Sequence, residues 1–277
     1  MATPWDRPSR EYNEEWVPRF VPYLRDLVSE LALDDGERVL VPCCGTGAEV
    51  VAVAREVGAS HVRATELDEA LAKEARARLD AAGFPDAQLS VAPAEDVSGG
   101  SWDAVVCAFG LWQLDHRVDV LRAWRGALTT KGKVGVLTWG PPEEHDPFER
   151  MMRCLAEREP ALALVPPRIH SGRDSMESMF EEAGLSLVRH TVLRHTLSFP
   201  SAEAFVKALR YARGFDVAFA ALDETRLGLV LARFYEEVGG PSAPLPWDPP
   251  ATLAIAANPG TEVTLFSRPS LRASKPA

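Results

Sequence analysis

A Gly-x-Gly turn between an apolar strand and a helix constrains this chain more than any other stretch. Residues 38–50, Arg38-Val39-Leu40-Val41-Pro42-Cys43-Cys44-Gly45-Thr46-Gly47-Ala48-Glu49-Val50, predict a short buried strand, a tight small-residue turn and a first helical turn. Such a turn brings backbone N–H groups at a helix N-terminus close to a ligand. A Cβ at Gly45 or Gly47 would hold that ligand off the backbone. A lone Gly-x-Gly is weak evidence. The next segment, His61-Val62-Arg63-Ala64-Thr65-Glu66, adds a second short strand that ends in an acid 19 residues beyond Gly47. In nucleotide-binding βαβ units an acid at about that distance accepts hydrogen bonds from ribose hydroxyls.

The rest of the pattern extends this unit. The first strand, 38–42, leads into a helix over about 47–57, and the second strand, 61–66, into a helix over 69–82 that Asp68 can cap. Strands are predicted at 88–91, 102–108 and 134–139, with a helix over about 115–128 and Lys131-Gly132-Lys133 as a turn. The run Trp102-Asp103-Ala104-Val105-Val106-Cys107-Ala108 is apolar enough for a strand buried on both faces. Alternating strands and helices joined by short turns imply a parallel sheet with helices on both sides. Residues 143–170 are expected to be helical but broken by Pro147, Pro160 and Pro166-Pro167. A helix over 174–183, a sixth strand over 185–197, a helical stretch over 201–238 and a last strand within 252–267 complete the order. The last two strands are expected to pair antiparallel at the sheet edge.

The domain reading is an N-terminal helical lid (1–34), a cofactor-binding Rossmann-like core (35–140), a helical region (141–184), and a final part (185–277) whose insertion stands over the site. Residues 10–33 form one amphipathic helix interrupted near Pro18 and Pro22, either packed on the core edge or serving as a lid. A formal charge of −10 argues against nucleic acid as a partner. No apolar run approaches the roughly 20 residues of a membrane span, and the first residues lack the pattern of a signal peptide, so a cytoplasmic location is expected. Four cysteines, two of them adjacent, suit a reducing compartment.

Taken together, these motifs resemble the class I S-adenosylmethionine-dependent methyltransferases, nearest to the small-molecule branch that includes ubiquinone and menaquinone biosynthesis enzymes. Val39-Leu40-Val41-Pro42-Cys43-Cys44-Gly45-Thr46-Gly47 aligns with the first motif, and Glu66 falls on the ribose-binding acid. Ala92-Pro93-Ala94-Glu95-Asp96-Val97 aligns with the adenine segment. Residues 101–111 align with strand four and its exit, and Lys131-Gly132-Lys133-Val134-Gly135-Val136-Leu137 with the entry to strand five. The resemblance implies an α/β, doubly wound, mostly parallel seven-stranded sheet with an antiparallel last strand. It also implies S-adenosyl-L-methionine as cofactor, held by the backbone from Cys43 through Gly45 to Gly47, by Glu66 and Leu67 at the ribose, and by Ala94 and Glu95 at the adenine. Ala108 would lie beside the transferable methyl. Three departures stand out: Val41 replaces the first-motif acid, Cys43 replaces a glycine, and Pro93 replaces an Asp at the adenine. Each lost charged hydrogen bond costs about 1.5–3 kcal/mol unless something replaces it.

Methyl transfer from a sulfonium needs alignment more than acid–base help. Candidates for a base are His116, His145 and His170, with Tyr12 a further catalytic candidate. Tyr12, Trp16, Trp112, Gln113, Trp139 and Tyr211 are the expected walls of an acceptor site, and aromatic walls suit an apolar or aromatic small-molecule metabolite methylated on oxygen or carbon. Cys43, Cys44 and Cys107 would converge if strands one and four are neighbours. Adjacent cysteines ligate one ion poorly, so no metal is expected. A homodimer is compatible with the sequence. Two other readings remain at this point: a methyltransferase-fold protein that binds the cofactor without transferring methyl, and an NAD(P)- or flavin-dependent oxidoreductase.

Overall fold

Strands that are buried along nearly their whole length belong in the middle of a sheet covered on both faces, and three strands here meet that description. They are β1 (Val39–Pro42), β4 (Trp102–Ala108) and the last strand, β9 (Pro250–Ala257), whose residues are all buried. The computed structural model describes residues 9–141, 143–162, 171–212 and 214–262. With β2 (Val62–Glu66), β3 (Gln88–Val91), β5 (Leu128–Trp139) and β6 (Ser186–Arg194), these strands form a seven-stranded sheet in the order β3-β2-β1-β4-β5-β9-β6. β3, β2, β1, β4 and β5 run parallel, while β9 pairs antiparallel with both β5 and β6. Order reverses between β1 and β4, the crevice where open α/β sheets bind ligands.

Period-two alternation sorts the core into two layers. Val39, Val41, Ala104, Val106 and Leu137 face one side, against α2 (Val17–Leu31) and α3 (Ala48–Val57). Leu40, Val105, Cys107, Val134 and Val136 face the other, against α5 (Arg117–Ala127) and α7 (Arg173–Glu182). α4 (Glu69–Ala81) starts where expected because the Asp68 carboxylate accepts from Ala70 N at 2.8 Å and Leu71 N at 3.0 Å.

Several boundaries differ from the sequence expectation. The N-terminal stretch is two helices, α1 (Ser9–Glu15) and α2, with the break at Trp16. Pro18 sits in the first turn of α2, where its missing N–H has no partner to lose, and Pro22 is tolerated inside the helix. Lys131-Gly132-Lys133 is not a turn but part of β5, whose register on β4 jumps from Leu128 to Lys133. Pro147 begins α6 (Pro147–Arg158) instead of breaking it, with Asp146 accepting from Phe148 N at 2.7 Å. The sixth strand ends at Arg194, the last begins at Pro250, and β7 (Leu197–Phe199) pairs with β8 (Leu245–Trp247) in a separate ribbon that the sequence pattern did not predict. The insertion is three helices, α8 (Ala202–Leu209), α9 (Phe215–Ala220) and α10 (Glu224–Val238). Trp16 ties the N-terminal helices to it, its indole N–H donating to Ala208 O at 3.1 Å.

Candidate functional site

Above the carboxyl ends of β1, β2 and β4 lies a cavity of about 530 Å³. Its floor is the turn after β1. Gly45 has φ +53°, an ideal Cβ there would meet open space, and the residue lines the cavity. Gly47 behaves differently. At φ +81° its Cβ would stand 3.0 Å from both Cα and Cβ of Ala75 on α4. Gly47 is not among the residues that line the cavity. Its glycine lets two helices approach. Two non-glycine residues of the wall also hold left-handed backbone, Cys43 at φ 54° and Phe109 at φ 56°, a strain that clusters at ligand sites.

Glu66, at the end of β2, is buried and turned back onto the turn. Its Oε2 accepts from Gly45 N at 2.8 Å and its Oε1 from Asp68 N at 3.1 Å. Burial raises its carboxyl above the usual range, while those N–H donors oppose the rise. Each carboxylate oxygen keeps a second lone pair for a ligand hydroxyl. Ala94 is positioned by the indole N–H of Trp124, which donates to Ala94 O at 2.7 Å. On the opposite wall the Ala108 N–H donates to Glu49 Oε2 at 3.1 Å. Tyr12 reaches the cavity from α1, and burial first, then the charges of Glu49 and Glu66, raise its phenol so that it stays protonated at neutral pH. Thr46 Oγ1 donates to Asn13 Oδ1 at 3.0 Å, and Arg78 donates to the same oxygen, fastening α1 over the turn.

The remaining expected residues divide. Cys43, Leu67, Glu95, Gln113 and His116 line the cavity with those above. Gln113 is held by donation from Nε2 to Phe109 O at 3.2 Å. Trp16, Trp112, Trp139, Tyr211 and His145 do not line it. Trp16 is buried among Phe148, Phe199 and Trp247, and Tyr211 packs on the same core. Trp139 stacks on Phe109 with ring centroids 4.3 Å apart, supporting the wall from behind. His145 is exposed and lies 3.5 Å from Glu143. His170 lies outside the described residues. Among the described residues no group of three or more His, Cys, Asp or Glu is placed to hold a metal ion, and all four cysteines are free. Sequence reasoning missed Phe20, Leu24, Phe109, Glu49 and Asp115, all of which line the cavity. Their only signal was position, in helices or just past strand ends.

The wall decides what fits. It carries five carboxyl side chains, Glu49, Glu66, Asp68, Glu95 and Asp115, and no Lys or Arg among the described residues. Such a wall repels the phosphates of a nicotinamide or flavin dinucleotide and attracts a cation. A model of the family described as methyltransferase domain matches residues 39–132. The matched segment is a methyltransferase domain, and together with the sheet order it supports a class I S-adenosylmethionine-dependent methyltransferase. This methyltransferase is similar to the ubiquinone/menaquinone biosynthesis C-methyltransferase UbiE of Ralstonia pickettii (strain 12J), 28% identical over 177 residues covering 59% of this chain and 73% of that one. Its fold matches a putative methyltransferase from Bacillus halodurans C-125 at TM-score 0.59 and 17% identity, covering 85% and 98% of the two chains. It also matches the geranyl diphosphate C-methyltransferase of Streptomyces coelicolor A3(2), solved with S-adenosyl-L-homocysteine, at TM-score 0.52 and 14% identity over 92% and 85%. The cofactor of the family fits the site: adenosine plus one sulfonium, one ammonium and one carboxylate carries a net positive charge, as the acidic wall requires. No described helix is long and apolar enough to cross a membrane.

Proposed function

We propose that this enzyme methylates an oxygen or carbon of an apolar or aromatic small-molecule metabolite. The observation that carries the reading is the mixed lining of one cavity, which joins five carboxyl side chains to a set of apolar ones. Glu66 bonds the turn after β1, and the apolar lining includes Val17, Phe20, Val21 and Leu24 of α2 with Phe109 beyond β4. S-adenosylmethionine supplies an electrophilic methyl group when bound. Glu66 accepts from the ribose hydroxyls, the backbone of Cys43 to Gly45 packs along the cofactor, and Ala94 with Glu95 borders the adenine. Leu67 covers it from the solvent side and Ala108 borders the reacting end. Tyr12 closes the space between cofactor and acceptor, and its retained phenol O–H donates a hydrogen bond instead of acting as a base. His116 is the described histidine of the wall and takes the role of proton acceptor where the acceptor carries a hydroxyl. An aromatic acceptor is consistent with the quinone pathways in the name of the Ralstonia relative. Four free thiols favour a reducing compartment such as the cytoplasm.

Calorimetric titration with S-adenosylmethionine, S-adenosylhomocysteine and NADH, followed by a methyl-transfer screen of hydroxylated aromatics against polar amines, tests the reading. Binding of the first two, silence of NADH and turnover among the aromatics are expected. Turnover confined to polar amines would overturn the acceptor class.

A further inference from the structure

One wall residue is left with an unmet requirement. Glu49, in the first turn of α3, is 5% exposed, and its Oε1 is buried without a hydrogen-bond partner, while Oε2 accepts from Ala108 N at 3.1 Å. The titratable groups that act on it are Cys43 and Glu66, and its charge in turn is felt by Tyr12, Cys44 and Cys107. None of these is a cation, and Glu49 forms no ion pair among the described residues. A buried carboxylate with one oxygen orphaned is costly unless a donor or a positive charge arrives. Glu49 is one of the residues that line the cavity, so the arriving group is a ligand's.

Val41, fully buried in β1, has no acceptor to offer this end of the cavity. We propose that Glu49 receives the α-ammonium of the methionine moiety of S-adenosylmethionine, supplying from the helix the carboxylate that position 41 lacks. This rests on the cofactor reading above. Along the carboxyl edge of the sheet the acceptors pass from Glu66 on β2 to Glu49 beside β4, the order in which the cofactor presents ribose hydroxyls and then its charged tail. The ammonium, not the sulfonium, is the partner, because the orphaned oxygen calls for an N–H donor and a sulfonium has none. In the free protein burial raises the Glu49 carboxyl well above its usual range, and an arriving ammonium lowers it and so favours proton release.

The test is titration of wild type and Glu49→Gln with S-adenosylhomocysteine and with its analogue bearing hydrogen in place of the α-amino group. Gln keeps an acceptor for Ala108 N–H but carries no charge. The variant is expected to bind S-adenosylhomocysteine about tenfold to hundredfold more weakly, and to bind the des-amino analogue as wild type does. Titration of wild type in buffers of different ionisation enthalpy reads proton release on S-adenosylhomocysteine binding and none with the analogue, even if Glu49→Gln fails to fold. Equal affinities of both proteins for S-adenosylhomocysteine, as a general-base role would give, overturn the assignment. So do equal losses for both ligands, and so does the absence of proton release. A loss seen with S-adenosylmethionine alone would move Glu49 to the sulfonium. Wild type that binds neither S-adenosylmethionine nor S-adenosylhomocysteine would overturn the cofactor reading itself, whereas intact wild-type binding with an indifferent Glu49→Gln sinks only this inference.

Discussion

Gly47→Ala and Gly45→Ala, two residues apart in one turn, are expected to damage different properties. At Gly47 an added Cβ meets the Cα and Cβ of Ala75 at 3.0 Å and its carbonyl oxygen at 3.3 Å. Two of those atoms are helix backbone, which has no rotamer to yield, so α4 must move away from α3. Holding alanine at φ +81° costs about 1–2 kcal/mol. Forcing a methyl into a packed contact costs about 1–3 kcal/mol more. The sum, about 2–5 kcal/mol, is a large part of the roughly 5–15 kcal/mol that holds a domain together. At about 2–4 °C per kcal/mol for a chain of this size, the melting temperature should fall by several degrees or more. Gly45→Ala carries only the left-handed penalty, since nothing lies within 4 Å of its Cβ, but places a methyl in the cavity. It should lose at most about 1–2 kcal/mol of stability and bind S-adenosylhomocysteine about tenfold or more weakly. Urea denaturation and calorimetric titration of both variants separate the two effects. A Gly47→Ala protein with the wild-type urea midpoint would refute the packing argument, and Gly45→Ala with undiminished affinity would refute the placement of the ligand on that turn.

Glu66→Ala should weaken S-adenosylhomocysteine at least tenfold by titration, and should also destabilise the free protein by about 1–3 kcal/mol because the N–H groups of Gly45 and Asp68 lose their acceptor. Glu49 and Glu66 both have carboxyls raised in the folded protein, so their contribution favours folding fully below the unfolded carboxyl value and is lost as pH rises through the folded values. Urea midpoints of the unliganded protein measured upward from pH 4 should show this decline, and Glu49→Gln should flatten it. Thr46→Val removes the hydrogen bond to Asn13 and should speed amide exchange across α1 while costing about 0.5–1.5 kcal/mol. His116→Gln should lower kcat by about 10²–10⁴ on a hydroxylated acceptor without changing S-adenosylhomocysteine affinity. An unchanged kcat would remove His116 from the chemistry.

Much of the sheet was legible because its signals are local. β3 and β4 begin and end at the residues expected from the sequence, and Asp68 caps α4 through its own neighbouring N–H groups. The antiparallel pairing of β6 with β9 agrees with what the resemblance implied, whereas a helical connection between two strands would by itself also allow a parallel crossover. What failed was judgement about single residues whose meaning depends on a partner far along the chain. Lys131-Gly132-Lys133 looks like a turn until the register of β5 on β4 is known. Trp16 and Tyr211 have the aromatic character of a substrate wall, but a ring contributes as much to a core, and in the fold Trp16 packs against Phe199 and Trp247 while Tyr211 packs on the same core.

The sequence by itself determined the doubly wound sheet, the glycine turn after β1 and the acid at the end of β2. All three arise from strand and helix periodicity and from residues close together in the chain. Only the tertiary structure showed that Gly47 serves a helix contact with Ala75, that Phe20 and Phe109 form the apolar end of the cavity, and that Glu49 is buried with one oxygen unpaired. Burial and missing partners are properties of a surrounding shell, and that shell is assembled from α1, α2, α3 and the ends of β2 and β4, segments that no local pattern brings together.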